Sequence, residues 1–188
     1  MSVRKILECP AEEKLLREKS SAVENIDKET QKIIRDLNDT LKDNGGGAGI
    51  AAPQIGVHKR IVIVRFGQDE KNMQPPLALI NPVIVSEGPY VKGFDGCLSN
   101  PGILTWDTLR PQTLTFRALG QDGHELEMTV SGIDSRLVHH EIDHLEGILF
   151  LDRLRPGGKV YQAVVDENGE EEFVKIPVPE GAGSLASK

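Results

Sequence analysis

The stretch LVHHEIDHLEG, Leu137 to Gly147, sets His140 and His144 four residues apart with Glu141 directly after the first of them. On a helix, residues four apart stack one turn above each other, so both imidazoles can point at one metal ion. In a His-Glu-x-x-His arrangement the glutamate lies beside metal-bound water, where it can accept a proton. His139 sits about 100° round the helix from His140 and cannot share that direction, which makes it a surface or packing histidine. Asp143 also lies off the face of the pair and reads as an ion-pair partner near the helix.

Two ligands hold a metal weakly, and catalytic sites commonly use three protein ligands with a position left for water. Cys97 is the natural third. It lies in Asp95-Gly96-Cys97-Leu98-Ser99, where a glycine neighbour allows close backbone approach. Cys9, beside Pro10, has no such context and reads as packing or surface. The segment GGGAGIAAPQIG, Gly45 to Gly56, is glycine-rich but lacks both phosphate-loop patterns. It reads as a flexible connector, or as a tight segment carrying one useful amide, Gln54.

The elements that must position these groups follow from periodicity. A helix starts near Ile26, capped by Asp27, with Ile33, Ile34, Leu37 and Leu41 on one face, and stops at Gly45 to Gly47. Residues 60–66 and 77–85 are β-rich, and 113–130 alternates on both sides of Asp122-Gly123, a hairpin signal. PYVKGFDGCLSNPG is too rich in Gly, Pro and Asn for a long regular element, which puts Cys97 at a strand end or turn. Helical spacing returns from Ser135 to about Phe150 and ends near Gly147. The tail reads as a hairpin around Asn168-Gly169 followed by a disordered end. The organisation expected is one catalytic metallohydrolase domain over 1–155, then a β-hairpin and flexible tail over 156–188.

Composition narrows the function classes. The 188 residues carry a net charge of -7, with 38% hydrophobic and 27% charged side chains. Scattered basic residues argue against DNA binding or coating an anionic membrane. No apolar run reaches the roughly 20 residues of a spanning helix, and the N-terminus lacks a secretory pattern, so a cytoplasmic protein is expected. Two cysteines are too few for a disulfide framework and fit a reducing compartment.

Three stretches in order, Gly47-x-Gly49-Ile50-Ala51-Ala52-Pro53-Gln54, Gly96-Cys97-Leu98-Ser99 and His140-Glu141-Ile142-Asp143-His144-Leu145-x-Gly147, resemble the signature motifs of the peptide deformylase family. The resemblance runs from the N-terminus to about Leu154 and includes Arg136. It implies an α+β fold with antiparallel β-sheets packed around a central helix bearing the His-Glu-x-x-His motif. It implies removal of the N-formyl group from the N-terminal methionine of newly synthesised polypeptides, releasing formate. The implied metal ligands are Cys97, His140 and His144. Glu141 would act as acid and base, with the Gln54 amide and the Leu98 backbone N–H stabilising charge on the formyl oxygen. Gly49, Ile50, Ile133 and Leu137 are the candidates to line the methionine pocket.

One thiolate and two imidazoles by themselves favour zinc, while the resemblance favours Fe2+, with Zn2+, Ni2+ or Co2+ able to substitute. Nascent N-formylmethionyl peptides are the implied partners, with a transient encounter with the ribosome. The acidic stretch Glu167 to Glu172 does not match the basic C-terminal helix by which some members dock. Two positions depart from the pattern: Asp95 stands where Glu is usual, and His139 where Gln is usual. Asp95 is expected to pair with a cation, Arg110. The rival readings are a metallopeptidase, whose third ligand would follow the helix rather than precede it, and a binder of formylated N-termini that has lost turnover.

Overall fold

A computed structural model of the protein describes residues 2–45, 47–67 and 72–185. Four layers stack in the order helix, sheet, helix, sheet, and sequence accounts for each. After a short helix α1 (Glu13–Leu16), the first long helix α2 (Lys28–Asp43) starts where Asp27 accepts hydrogen bonds from the Glu29 and Thr30 backbone N–H groups. Its buried residues Ile34, Leu37 and Leu41 lie on a five-stranded antiparallel sheet with strand order β1 (Gly49–Ala51), β2 (Ile61–Val64), β3 (Leu77–Glu87), β6 (Thr113–Leu119) and β7 (Glu125–Ser131). Each such fully buried aliphatic side chain contributes about 1.5–3 kcal/mol.

Strand β2 explains how that sheet serves two cores. All four of its residues are buried: Ile61 and Ile63 pack towards α2, while Val62 and Val64 face the opposite side. There they meet Val138, Ile142 and Leu145 of helix α3 (Ile133–Leu145), which carries the histidine pair. The other side of α3 meets a four-stranded antiparallel sheet ordered β4 (Tyr90–Gly96), β5 (Ile103–Pro111), β8 (Val160–Val165) and β9 (Glu171–Ile176). The architecture is the expected α+β arrangement, antiparallel sheets around a helix bearing the motif. Helix α3 stops at Leu145 and the chain reverses at Gly147, where φ is +72° and a Cβ would lie 2.2 Å from the Arg17 carbonyl oxygen.

Three expectations are refined by the structure. The stretch before Cys97 is a seven-residue strand, β4, with a register shift against β5 between Gly93 and Asp95, and Cys97 stands at its end as expected; its glycines make room, since a Cβ at Gly93 would strike the Arg136 guanidinium at 2.9 Å. Of the two readings of Gly45 to Gly56, the tight segment rather than the flexible connector holds for Gly49 to Ile55, which forms β1 and a 3-10 turn whose residues Ala52 to Ile55 are all buried. The C-terminal hairpin is continuous with the body, since β8 pairs with β5 at Ile103↔Gln162 and Leu104↔Tyr161. The chain after it is tied down by Gly183 N–H to the Leu151 carbonyl and Leu185 N–H to that of Asp152. The last three residues of the end expected to be disordered, 186–188, and Gly46 within the Gly45 to Gly47 helix stop lie outside the described residues.

Candidate active site

Cys97 follows directly on β4, and its sulfur lies 3.2 Å from His144 Nε2. Donor atoms of Cys97, His140 and His144 all fall within 4.8 Å of one another, the separation one metal ion requires of its ligands. The sequence gives each its place for a reason. His140 and His144 share a face of α3, with ring centroids 5.0 Å apart, and Cys97 is delivered from the facing sheet by the turn closed by the Asn100 N–H to Cys97 carbonyl bond.

Charge around the sulfur favours thiolate, the ligating form. Burial alone would raise the thiol, but the adjacent His144 and His140 bring it down to about 5. Two further donors aim at it: the Ser99 backbone N–H at 3.4 Å and the Gln54 amide nitrogen at 3.5 Å. Gln54 is held in turn, its oxygen accepting from Ala51 N–H and its nitrogen donating to the buried Ser99 hydroxyl.

Behind the ligands lies a buried charge network centred on Arg110, which has no exposed surface. Its Nε donates to Asp95 at 2.6 Å and its Nη1 to Asp143 at 2.7 Å. Asp95 pairs with Arg110, and its other oxygen lies 2.7 Å from His140 Nδ1. Burial disfavours a charged Asp95, yet Arg110 and His140 hold it far below the usual carboxylate range, so it accepts from Nδ1 and fixes the ring with Nε2 as the nitrogen a metal would take. Asp143 is the ion-pair partner expected, joined also by Arg153 at 2.7 Å.

Of the two readings of His139, surface or packing, the structure supports packing: it is 1% exposed. Burial, with Arg110 adding to it, pushes its pKa down to about 3 against the opposing pull of Asp143. Because Arg110 donates to Nδ1 at 2.7 Å, the neutral ring carries its proton on Nε2, within 3.2 Å of Glu87. Arg136 has a positional role that spacing alone did not reveal. Its guanidinium donates to the carbonyls of Val91, Gly93, Phe94 and Thr108, clamping α3 to β4 and β5, the strands that deliver Cys97 and Arg110. Its place one turn before His140 is the signal that would have found it.

A cavity of about 630 Å³ opens onto these groups, lined among others by Gly49, Gln54, Cys97, Leu98, His140 and Glu141. Leu137 and the half-exposed Ile133 also line it. Ile50 does not: its side chain is fully buried in the core beneath α2, because alternation along β1 turns it away from α3. Glu141 reaches the cavity beneath Gly49, whose missing side chain leaves the space; a Cβ there would lie 2.5 Å from Glu141 Oε1. Burial raises Glu141 to about 7, even with His140 and His144 pulling it down.

Buried Glu141 Oε2 has no hydrogen-bond partner among the described residues, as a site completed by a further group would leave it. One soft thiolate, two imidazoles and an adjacent carboxylate of near-neutral pKa fit a divalent transition metal. Fold and site together define a metal-dependent hydrolase. The polypeptide deformylase family model matches residues 3–160. A peptide deformylase of Thermomicrobium roseum is 43% identical over 74% of this chain and 80% of its own. Among solved structures, a peptide deformylase from Legionella pneumophila is 39% identical with a TM-score of 0.71, covering 82% of this chain and 87% of that one. A Met-Ala-Ser-bound peptide deformylase from Acinetobacter baumannii is 26% identical with a TM-score of 0.74, covering 82% of this chain and all of that one. The chain belongs to the peptide deformylase family.

Proposed function

We propose that this cavity carries out the reaction for which the family is named: hydrolysis of the formamide on the N-terminal methionine of a newly made polypeptide, with formate as product. The observation that carries the reading is geometric: Glu141, a buried carboxylate with one oxygen unpartnered among the described residues, lines the same cavity as the three-donor site of Cys97, His140 and His144. The metal would be held by Cys97, His140 and His144, and when bound it supplies Lewis acidity that lowers the pKa of water from 15.7 towards ~7 and polarises a carbonyl. We assign Fe2+ to the site, with Zn2+, Ni2+ or Co2+ as substitutes.

Glu141 takes a proton as a water oxygen bonds to the formyl carbon. Charge that gathers on the formyl oxygen is met by the Gln54 amide, pre-set by Ala51 and Ser99, and by the Leu98 backbone N–H. Glu141 then delivers its proton to the methionine nitrogen as the carbon–nitrogen bond breaks. Formate and a free amino terminus leave. Near-neutral pKa suits a group that must first accept and then donate at working pH.

Leu137, Ile133 and Gly49 form the wall against which the methionine side chain is placed. The partners are nascent formylated chains, met transiently at the ribosome, and the working compartment is the cytoplasm. No helix among the described residues is long and apolar enough to cross a membrane. Chelation and reconstitution test the reading: formate release from formyl-Met-Ala-Ser should vanish in the stripped protein and return with Fe(II) or Ni(II). Acetyl-Met-Ala-Ser should stay inert. Release that survives complete stripping would overturn it.

A further inference from the structure

The chain has only five Phe, two Tyr and one Trp, yet four of these aromatic residues gather on one exposed face. Phe94 of β4, Trp106 of β5, Tyr161 of β8 and Phe173 of β9 stand on the outer side of the second sheet. Their rings form a continuous cluster: Phe94 to Trp106 is 5.7 Å between centroids, and Trp106 lies 5.5 Å from both Tyr161 and Phe173. Phe94, Trp106 and Phe173 are 49%, 42% and 45% exposed. Single exposed apolar residues need no explanation, whereas a contiguous exposed patch marks a contact surface.

This patch is continuous with the catalytic cavity. Phe94 belongs to both the cavity lining and the cluster, and Leu104, Ala163 and Glu171, on the other three strands that carry the cluster, β5, β8 and β9, line the cavity. A polypeptide with its N-terminal residue at Cys97 and Glu141 has to leave the cavity somewhere, and Phe94 joins this rim to the aromatic face. From Phe94 across Trp106 to Phe173 the rings span at most about 11 Å, the reach of up to roughly three residues of extended chain.

We propose that the Phe94–Trp106–Tyr161–Phe173 face is an extended substrate platform that receives the polypeptide downstream of the formyl-methionine, favouring apolar or aromatic side chains at roughly the third to sixth residues. The proposal rests on the deformylase reading above. Stacked and edge-on ring contacts on a half-exposed surface suit an unfolded chain, since they tolerate many sequences. The face therefore sets preference among nascent chains without touching the reacting atoms.

Trp106 is the chain's single tryptophan, so its fluorescence reports on the platform directly. The test uses metal-loaded protein and three peptides: formyl-Met-Ala-Ser, formyl-Met-Ala-Ser-Phe-Leu-Ala and formyl-Met-Ala-Ser-Asp-Gly-Asp. The products Met-Ala-Ser-Phe-Leu-Ala and Met-Ala-Ser serve for the binding titration. The aromatic hexapeptide should show kcat/KM about 10-fold above the tripeptide, mainly through KM, and its product should shift Trp106 emission where Met-Ala-Ser does not. Phe173→Ser and Trp106→Ser should remove the gain while keeping tripeptide turnover within twofold.

Equal kcat/KM for all three peptides, with Trp106 emission unmoved by the hexapeptide product, would overturn the proposal even if a variant failed to fold. So would sedimentation showing that the face is covered by a second copy at assay concentration. Loss of tripeptide turnover in the wild type would instead count against the deformylase reading itself.

Discussion

Gly49→Ala probes the catalytic carboxylate without altering a ligand or the carboxylate itself. The added Cβ would stand 2.5 Å from Glu141 Oε1, 2.9 Å from its Cδ and 2.9 Å from Leu137 Cδ1. Ordinary contact begins near 3.4 Å, so the carboxylate has to recede by about 0.9 Å, and Leu137 closes the sideways route. A misplacement of about 1 Å costs on the order of 100-fold in rate, or about 2.7 kcal/mol of transition-state stabilisation. Because Cys97, His140 and His144 do not move, metal content should stay at one ion per chain. The assay is formate release from formyl-Met-Ala-Ser, with metal measured on the same sample by mass spectrometry. Combining Gly49→Ala with Glu141→Asp, which shortens the carboxylate, should cost less than the product of the two single losses. A Gly49→Ala protein with full metal and activity within threefold of wild type would refute the reasoning.

Four other outcomes follow from the same geometry. Asp95→Asn takes the carboxylate from His140 and one of the two from Arg110, which keeps Asp143, so metal affinity measured by competition with a chelator should fall about 10- to 100-fold, with a lowered urea midpoint. Asp95→Glu should not exceed wild-type activity, because Asp95 already reaches Arg110, Thr108 and His140 at once. In metal-stripped protein at pH 7, iodoacetamide should label Cys97 well before Cys9: the former is brought down to about 5, while burial and Glu13 push the latter up to about 11. Peptide mapping at short times reads the order. Asp107 accepts from Arg155 at 2.7 Å and from Lys159 N–H at 3.0 Å, and although burial opposes it, these partners lower its pKa. Its contribution is therefore present above the unfolded value near 3.9 and fades as pH falls through the folded one. Asp107→Asn should lower the urea midpoint at pH 6 and have less effect near pH 3.

The ligand set was legible because it depends on short spacings and residue chemistry. His140 and His144 need only a helix, and Cys97 needs only a turn of small residues. The Asp95–Arg110 pair was expected only through the resemblance, because Arg110 stands where the family has an arginine, and the structure joins the two. What spacing could not show is which residues enclose that pair. His139 looked peripheral by helical angle, yet a second sheet covers that side of α3 and buries it. Ile50 was misplaced for a related reason: one residue of alternation on a three-residue strand decides between cavity and core, and composition does not fix that register. The tail misled through its Pro and Gly content. Its stability comes from backbone bonds to Leu151 and Asp152, partners distant in sequence.

The most direct measurement is single-turnover formate release from formyl-Met-Ala-Ser by anaerobically prepared, Fe(II)-loaded protein, with Glu141→Gln run beside it at equal metal content. Rapid release by the wild type and a loss of several hundredfold or more in the variant, with peptide binding retained, is the expected result, since removing a general acid–base contributes about 10²–10⁴-fold. Equal release by both proteins would contradict the assignment of Glu141, and with it the chemistry derived for the site.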